Sequence, residues 1–376
     1  MTLTREAMLL RGLDRDTMVG LEIGPFFSPI APKAQGWRTY VVDFTSGEEL
    51  REKARTHTAE VIRANAHLVE DVDVITTGQN LQEPLLALRP EGFDYLIASH
   101  AFEHVPDLIG FLNQCEQFIA PGGVMSLAMP DLRFCFDYFR RPTMTDDLLL
   151  AHREGRKRHT AETLFQAQAY QGWLKGAAAW SREETAPVDL VCTIEHAYAW
   201  YVDELAADQV SAAYIDAHSW VFTPANFSLV ILELNVLGLI SFRIRGSLED
   251  GQGSEFFAQL EPGRVELDTA GVHAERQRLV NQMVIEQASR QRGPDAAPAA
   301  VSAAPEPIAA PEPTAPLPPP GRSATLPLEE GLTTLVLPAG LSARSVAALR
   351  TWLDVVVDLS SAEQSHHQNG VVSAQS

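Results

Sequence analysis

"FDYLIASHAFEHVPDLIGFLNQCEQFIAPGGVMSLAMPD", residues 93–131, decides the fold. "FDYLIAS" (93–99) and "GVMSLAMP" (123–130) are short apolar runs without polar alternation, the pattern of strands buried on both faces. Between them Leu108, Phe111, Leu112, Cys115, Phe118 and Ile119 recur at helical spacing on one face. That helix opens after Pro106 and stops at "PGG". A strand, a helix and a second buried strand form a crossover unit, so these two strands are expected to run parallel.

The same rhythm extends toward the N-terminus. "VGLEI" (19–23), "TYVVD" (39–43) and "VDVIT" (72–76) read as further buried strands, with helical stretches such as "GEELREKAR" (47–55) between them. The fold class expected is α/β, a doubly wound and mostly parallel sheet with helices on both faces. Residues 131–222 break the alternation and read as a mostly helical insert after the fifth strand. Then "PANFSLVILELNVLGL" (224–239) reads as a helix, and "ISFRIRGSL" (240–248) and "SEFFAQLEP" (254–262) as strands. The short turn "EDGQG" between those two suits an antiparallel hairpin. The expected organisation is a domain over 1–263, an exit helix over 264–293 and an Ala/Pro-rich linker over 294–326. A small strand–helix module over 327–361 and a disordered tail over 362–376 follow. The module's apolar helix face (Val346, Leu349, Trp352, Leu353, Val356) is expected to dock onto another copy or a protein partner.

Bulk properties narrow the function. A net charge of −20 argues against a broad nucleic-acid surface. The three cysteines follow no metal-ligand spacing. The N-terminal stretch has no uninterrupted apolar run of a secretory signal, and the longest apolar run is interrupted by Glu233 and Asn235. A cytoplasmic protein without a membrane span is expected.

The chemistry-bearing residues collect at predicted strand ends. "GLEIGPFFSPI" (20–30) ends its strand at Gly24, where backbone can approach a ligand. Asp43 ends the next strand about 20 residues on, where an acid can accept from both hydroxyls of a ribose diol. Past the fourth strand, His100, Glu103 and His104 cluster, and the two histidines are candidate bases near neutral pH. Spaced i, i+3 and i+4, the three could also ligate a divalent cation, with His196 or His218 as a fourth ligand. The reading adopted is no metal. Asp131 and Arg133 overlook the site as substrate contacts or pair with each other to fix the base of the insert. "REGRKRH" (153–159) reads as a solvated face. His196, Trp200 and Tyr201 suit sugar stacking or an ordinary lid core.

These residues resemble the class I S-adenosylmethionine-dependent methyltransferases. The helix ending "FIAPGG" before a strand is similar to their L-x-P-G-G pattern, and "LEIGPFFSPIAPK" (21–33) to a variant "EIGP" first motif of a bacterial subgroup. The resemblance covers about residues 18–262 and implies seven strands with an antiparallel last strand. It also implies S-adenosylmethionine as cofactor. Glu22, Gly24 and Pro25 would lie beside its methionine part, Asp43 would hold the ribose, and Phe44 would cover the adenine. Ser99 and His100 would face the reacting centre. Relatives place an acid after the third strand; "ITTGQNL" (75–81) offers Thr77 or Gln79 instead. The expected activity is O-methylation of a small-molecule or sugar/glycan acceptor. The competing reading is a non-catalytic methyltransferase-like module that docks a partner through its tail. A nicotinamide-dependent oxidoreductase lacks its dinucleotide fingerprint here.

Overall fold

The computed structural model describes residues 4–76, 80–207, 214–246, 248–250, 253–290, 322–328 and 331–337. The chain divides into two compact units, Met1–Pro298 and Ala299–Ser376.

The first unit begins with a single-turn helix, α1 (Arg5–Leu9), and the strands β1 (Val19–Ile23) and β2 (Arg38–Asp43). Helices α2 (Gly47–Arg55) and α3 (Glu60–Ala64) lead to a two-residue β3 (Val74–Ile75). Then come α4 (Gln82–Leu88), β4 (Phe93–Ser99), α5 (Leu108–Phe118) and β5 (Ile119–Pro130). Past β5 lie α6 (Thr145–Glu154), α7 (Ala161–Ala169), the two-residue strands β6 (Gly172–Trp173) and β7 (Asp189–Leu190), and α8 (Ile194–Ala206). The sheet resumes after α9 (Pro224–Val236) with β8 (Phe242–Ile244), β9 (Glu249–Asp250) and β10 (Glu255–Pro262), and α10 (Thr269–Ala288) follows. The second unit contributes a hairpin of β11 (Arg322–Leu328) and β12 (Gly331–Leu337).

The main sheet runs β3-β2-β1-β4-β5-β10-β8, with β9 pairing to β10. The first five of these strands are parallel; β10 lies antiparallel between β5 and β8. The α/β class, the mostly parallel order and the antiparallel last strand are as the sequence predicts. Because β1, β2 and β4 are parallel neighbours, the loops that leave Ile23, Asp43 and Ser99 meet at one carboxyl edge, where open sheets of this kind bind ligands.

Local chemistry explains the elements. Ser46 and Glu49 close a reciprocal capping box on α2. The Asp107 side chain accepts from the Gly110 amide to start α5, whose Leu108, Phe111, Leu112, Cys115 and Phe118 are buried. α9 carries Pro224 in its first turn and is buried nearly all round, so it lacks an amphipathic stripe.

Several boundaries differ from expectation, among them β3 and β8, which are shorter than read, and β9, which takes the first two residues of the expected turn. β5 starts at Ile119, four residues before the predicted strand, because "PGG" continues the strand through a register shift opposite Phe93 and Tyr95. Gly122, at φ +81°, supplies the left-handed backbone of that irregularity. In the 131–222 segment the stretch between α7 and α8 holds the β6–β7 pair and turns, so the segment is only partly helical. Residues 322–326, read as the end of the linker, are strand. The predicted helix of the 327–361 module and the 362–376 tail lie outside the described residues. No helix among those described is long and apolar enough to cross a membrane.

Candidate active site

Gly24 sits just past β1 at φ +62°, its amide donating to the Val42 carbonyl of β2. A Cβ there would meet no atom within 4 Å, so glycine is required by conformation and the space beside it is open. Pro25 follows, and its carbonyl accepts from the Ser28 amide in a tight turn. One Glu22 carboxylate oxygen accepts from Ile30 N (2.7 Å), the other from Ala31 N (3.0 Å). Both bonds fold the loop back, and burial pushes the carboxyl up to about 7. Glu22 therefore buttresses the loop that follows Gly24.

Asp43 is buried at the end of β2 and accepts from the Phe44 amide (2.8 Å) through Oδ1, with burial raising its pKa. The Phe44 ring is exposed, with Lys53 Nζ 5.3 Å from its centroid. Thr77 and Gln79 lie outside the described residues. At the end of β4, the Ser99 hydroxyl accepts from the Arg5 guanidinium of α1, which also donates to Glu255 (2.9 Å).

The strongest concentration of charge follows immediately. His100 has a left-handed φ of +52°, rare for a residue with a side chain. Its Nε2 lies 2.9 Å from Glu255 Oε2 and its Nδ1 3.4 Å from Glu103 Oε1. Glu103, in a single 3-10 turn over Phe102–His104, is 1% exposed, and neither carboxylate oxygen has a hydrogen-bond partner. His104 Nε2 and His218 Nε2 each stand 3.9 Å from Glu103 Oε1. Behind them His104 Nδ1 meets Asp216 (2.8 Å) and His218 Nδ1 meets Asp137 (2.5 Å), which Arg140 also binds (2.8 Å). The Glu103 backbone carbonyl accepts from Ser219 N (2.7 Å), which ties the segment entering α9 to the loop after β4.

The electrostatics revise the expected roles. Burial opposes charge on His100, but the Glu103 and Glu255 carboxylates overcome it and raise its pKa to about 9. His104 is raised too, against burial, by Asp216 and Glu103. The His100 imidazole is thus held protonated at neutral pH by its carboxylates, so it is not a ready base there, while His104 is shifted in the same direction. His159, read as the end of a solvated face, is instead buried and goes the other way. Burial lowers it to about 4, so it is neutral between the Ser219 hydroxyl (2.8 Å) and the Tyr214 hydroxyl (2.7 Å).

Other expected contacts are not brought to the cluster. Asp131 is completely buried and held bidentately by Arg133 (2.9 and 2.6 Å) and by Arg182 (3.2 Å). The pair fixes the base of the insert, because a carboxylate so filled has no capacity left for a substrate. His196 is exposed on α8 and accepts from Trp200 Nε1 of the next turn (3.1 Å); among the described contacts neither touches Glu103, His104 or His218. A separate groove of about 650 Å³ lies between α9, α10 and the β8–β10 edge, away from this cluster.

Residues 11–177 match the model of a methyltransferase domain. This stretch spans β1 to β5 and the loop that carries Glu103. The chain is similar to the CcbJ methyltransferase from Streptomyces caelestis, at 14% identity over 69% of this chain and 94% of that one, with a TM-score of 0.34. It is also similar to an S-adenosylmethionine dependent methyltransferase from Mesorhizobium loti (13% identity, 65% and 90% covered, TM-score 0.31). The glycopeptide N-methyltransferase MtfA, in complex with S-adenosylmethionine, gives 9% identity over 69% and 92% with a TM-score of 0.32. No curated protein matches the chain.

Proposed function

We propose that this chain transfers a methyl group from S-adenosylmethionine to a hydroxyl of a small molecule or sugar. The observation that carries this reading is the methyltransferase-domain match over residues 11–177, whose span contains Gly24, Asp43, Ser99 and Glu103. The cofactor is S-adenosylmethionine. Its ribose diol is held by the Asp43 carboxylate, which retains an oxygen beyond the Phe44 amide, and its methionine part lies over Gly24 and Ser99. Phe44 covers the adenine.

Transfer is an in-line displacement. The acceptor oxygen forms a bond to the methyl carbon as the carbon–sulfur bond breaks, and S-adenosylhomocysteine, the methyl ether and one proton result. Most of the acceleration comes from holding oxygen, carbon and sulfur in line. The acceptor hydroxyl is directed at Glu103, His100 and His104, and the Glu103 carboxylate takes its proton. An exposed aromatic surface on α8, where Tyr198 and Tyr201 stack with centroids 6.1 Å apart, suits a sugar face.

Calorimetric titration with S-adenosylmethionine and S-adenosylhomocysteine tests the reading. Micromolar binding is expected, weakened by at least about tenfold in Asp43→Ala, the equivalent of a lost charge-assisted hydrogen bond of about 1.5–3 kcal/mol. A folded wild-type protein that binds neither compound would leave the chain a methyltransferase-like module without its cofactor.

A further inference from the structure

Glu103 poses a problem that the methyl-transfer reading leaves open. A buried carboxylate with no hydrogen-bond partner on either oxygen carries a desolvation cost on the order of several kcal/mol. Its nearest counter-groups after His100 are two imidazole edges, each 3.9 Å from the same oxygen. That distance is too long for a hydrogen bond. It suits ligands arranged around a shared centre: the three donor atoms all lie within 4.8 Å of one another. Bonds of about 2.0–2.2 Å to nitrogen and oxygen set tetrahedral donors about 3.4 Å apart, so the longest side would close by up to about 1.4 Å on binding.

A second observation is independent of those distances. Each imidazole has its remote nitrogen, Nδ1, fixed by a carboxylate: Asp216 behind His104 and Asp137 behind His218, with Arg140 fixing Asp137 in turn. This leaves both Nε2 atoms aimed at Glu103. A carboxylate behind each imidazole is how proteins orient histidines that ligate metal. His100 belongs to a different arrangement, since its Nε2 is engaged by Glu255.

We infer that Glu103, His104 and His218 form a binding site for one divalent transition-metal ion of the zinc, iron or manganese class. Two imidazoles and one carboxylate are a donor set for that class, and three protein ligands leave positions open for a further oxygen. This reverses the expectation of a metal-free site. The role of the ion, though not its binding, rests on the methyltransferase reading. A bound acceptor hydroxyl would have its pKa lowered and its oxygen oriented by the ion.

The full chain, stripped with a chelator and dialysed, is titrated with Co²⁺ while visible absorption is followed, then with Zn²⁺ as competitor. One equivalent of Co²⁺ giving a d–d band that Zn²⁺ abolishes is expected. His104→Gln is expected to weaken Co²⁺ binding by at least about 100-fold, and Asp216→Asn, at an exposed carboxylate, by about tenfold. His196→Gln, a surface histidine, leaves it unchanged. Wild-type protein that takes up no stoichiometric Co²⁺ overturns the site, as does Asp216→Asn together with His104→Gln binding like wild type. S-adenosylmethionine titration of the same stripped protein separates the two readings. Cofactor binding without any cobalt site overturns the metal alone, whereas a cobalt site without cofactor binding keeps the metal and removes its role in methyl transfer.

Discussion

Glu22 shows how a single buried carboxylate ties loop shape to pH. Its folded-state pKa lies near 7, well above the ordinary 4.5, because burial outweighs the two amides that donate to it. An acid raised in this way holds a proton in the folded chain that the unfolded chain has already released. Between pH 4.5 and 7 the folded state therefore binds more protons, and stability falls as pH rises through that window. The expected loss is about 3 kcal/mol. Comparing unfolding free energies of wild type and Glu22→Gln across the window isolates it: the variant is expected to lack this part of the slope, and parallel pH profiles would mean that Glu22 ionises normally. At this scale the sequence shows half of the site. Glu103 and His104 are visible as neighbours on one loop, and Asp43 as a strand-end acid. Asp137, Tyr214, Asp216 and Glu255 carry no local pattern that marks them, because only folding brings them to residues 55 to 155 positions away. The Asp131–Arg133 pair was legible as two alternatives, and its bidentate closure within the base of the insert decides between them.

Strands were read well where both faces are buried, since continuous apolar runs leave little choice of register. β1 matches its predicted bounds, and β4 does too. β1 also contains a constraint that composition does not reveal. Gly20 lies in the middle of the strand, beside Tyr95 of β4, and a Cβ there would fall 2.2 Å from the Tyr95 ring. The tyrosine fills the space that glycine leaves, and its hydroxyl reaches Thr39 Oγ1 of β2 at 2.7 Å, so one ring packs across three neighbouring strands. Gly20→Ala is expected to destabilise the fold by about 1–3 kcal/mol through overpacking. The mechanism is checked by repeating the substitution in a Tyr95→Leu background. There the same change should cost less, and equal costs in both backgrounds would remove the ring from the explanation. The elements that were misread are those where pairing overrides pattern. "PGG" reads as a stop, yet the irregular β4–β5 ladder carries the strand through it. The stretch between α7 and α8 shows no dominant period because turns and a two-residue ladder shape it.

The order in which the strands assemble, β3-β2-β1-β4-β5-β10-β8, was not contained in any hydrophobic period, while the apolar runs supplied the strands themselves. That order has a consequence for the molecule as a whole. Every site residue among those described, from Arg5 to Glu255, lies within the unit Met1–Pro298, and so does the buried core that runs from Val19 to Leu260. A unit of this length buries enough apolar surface to fold alone. A chain ending at Pro298 is therefore expected to unfold cooperatively at the midpoint of the full chain and to bind S-adenosylmethionine with the same affinity. Thermal unfolding followed by circular dichroism and calorimetric titration check both. What should change, if residues 327–361 act as the docking module their apolar pattern suggests, is association: light scattering should give a lower mass per particle, relative to chain mass, for the shortened protein. Loss of cofactor binding in a folded 1–298 chain would instead assign the second unit a part in the site, and equal association of the two chains would remove the docking role.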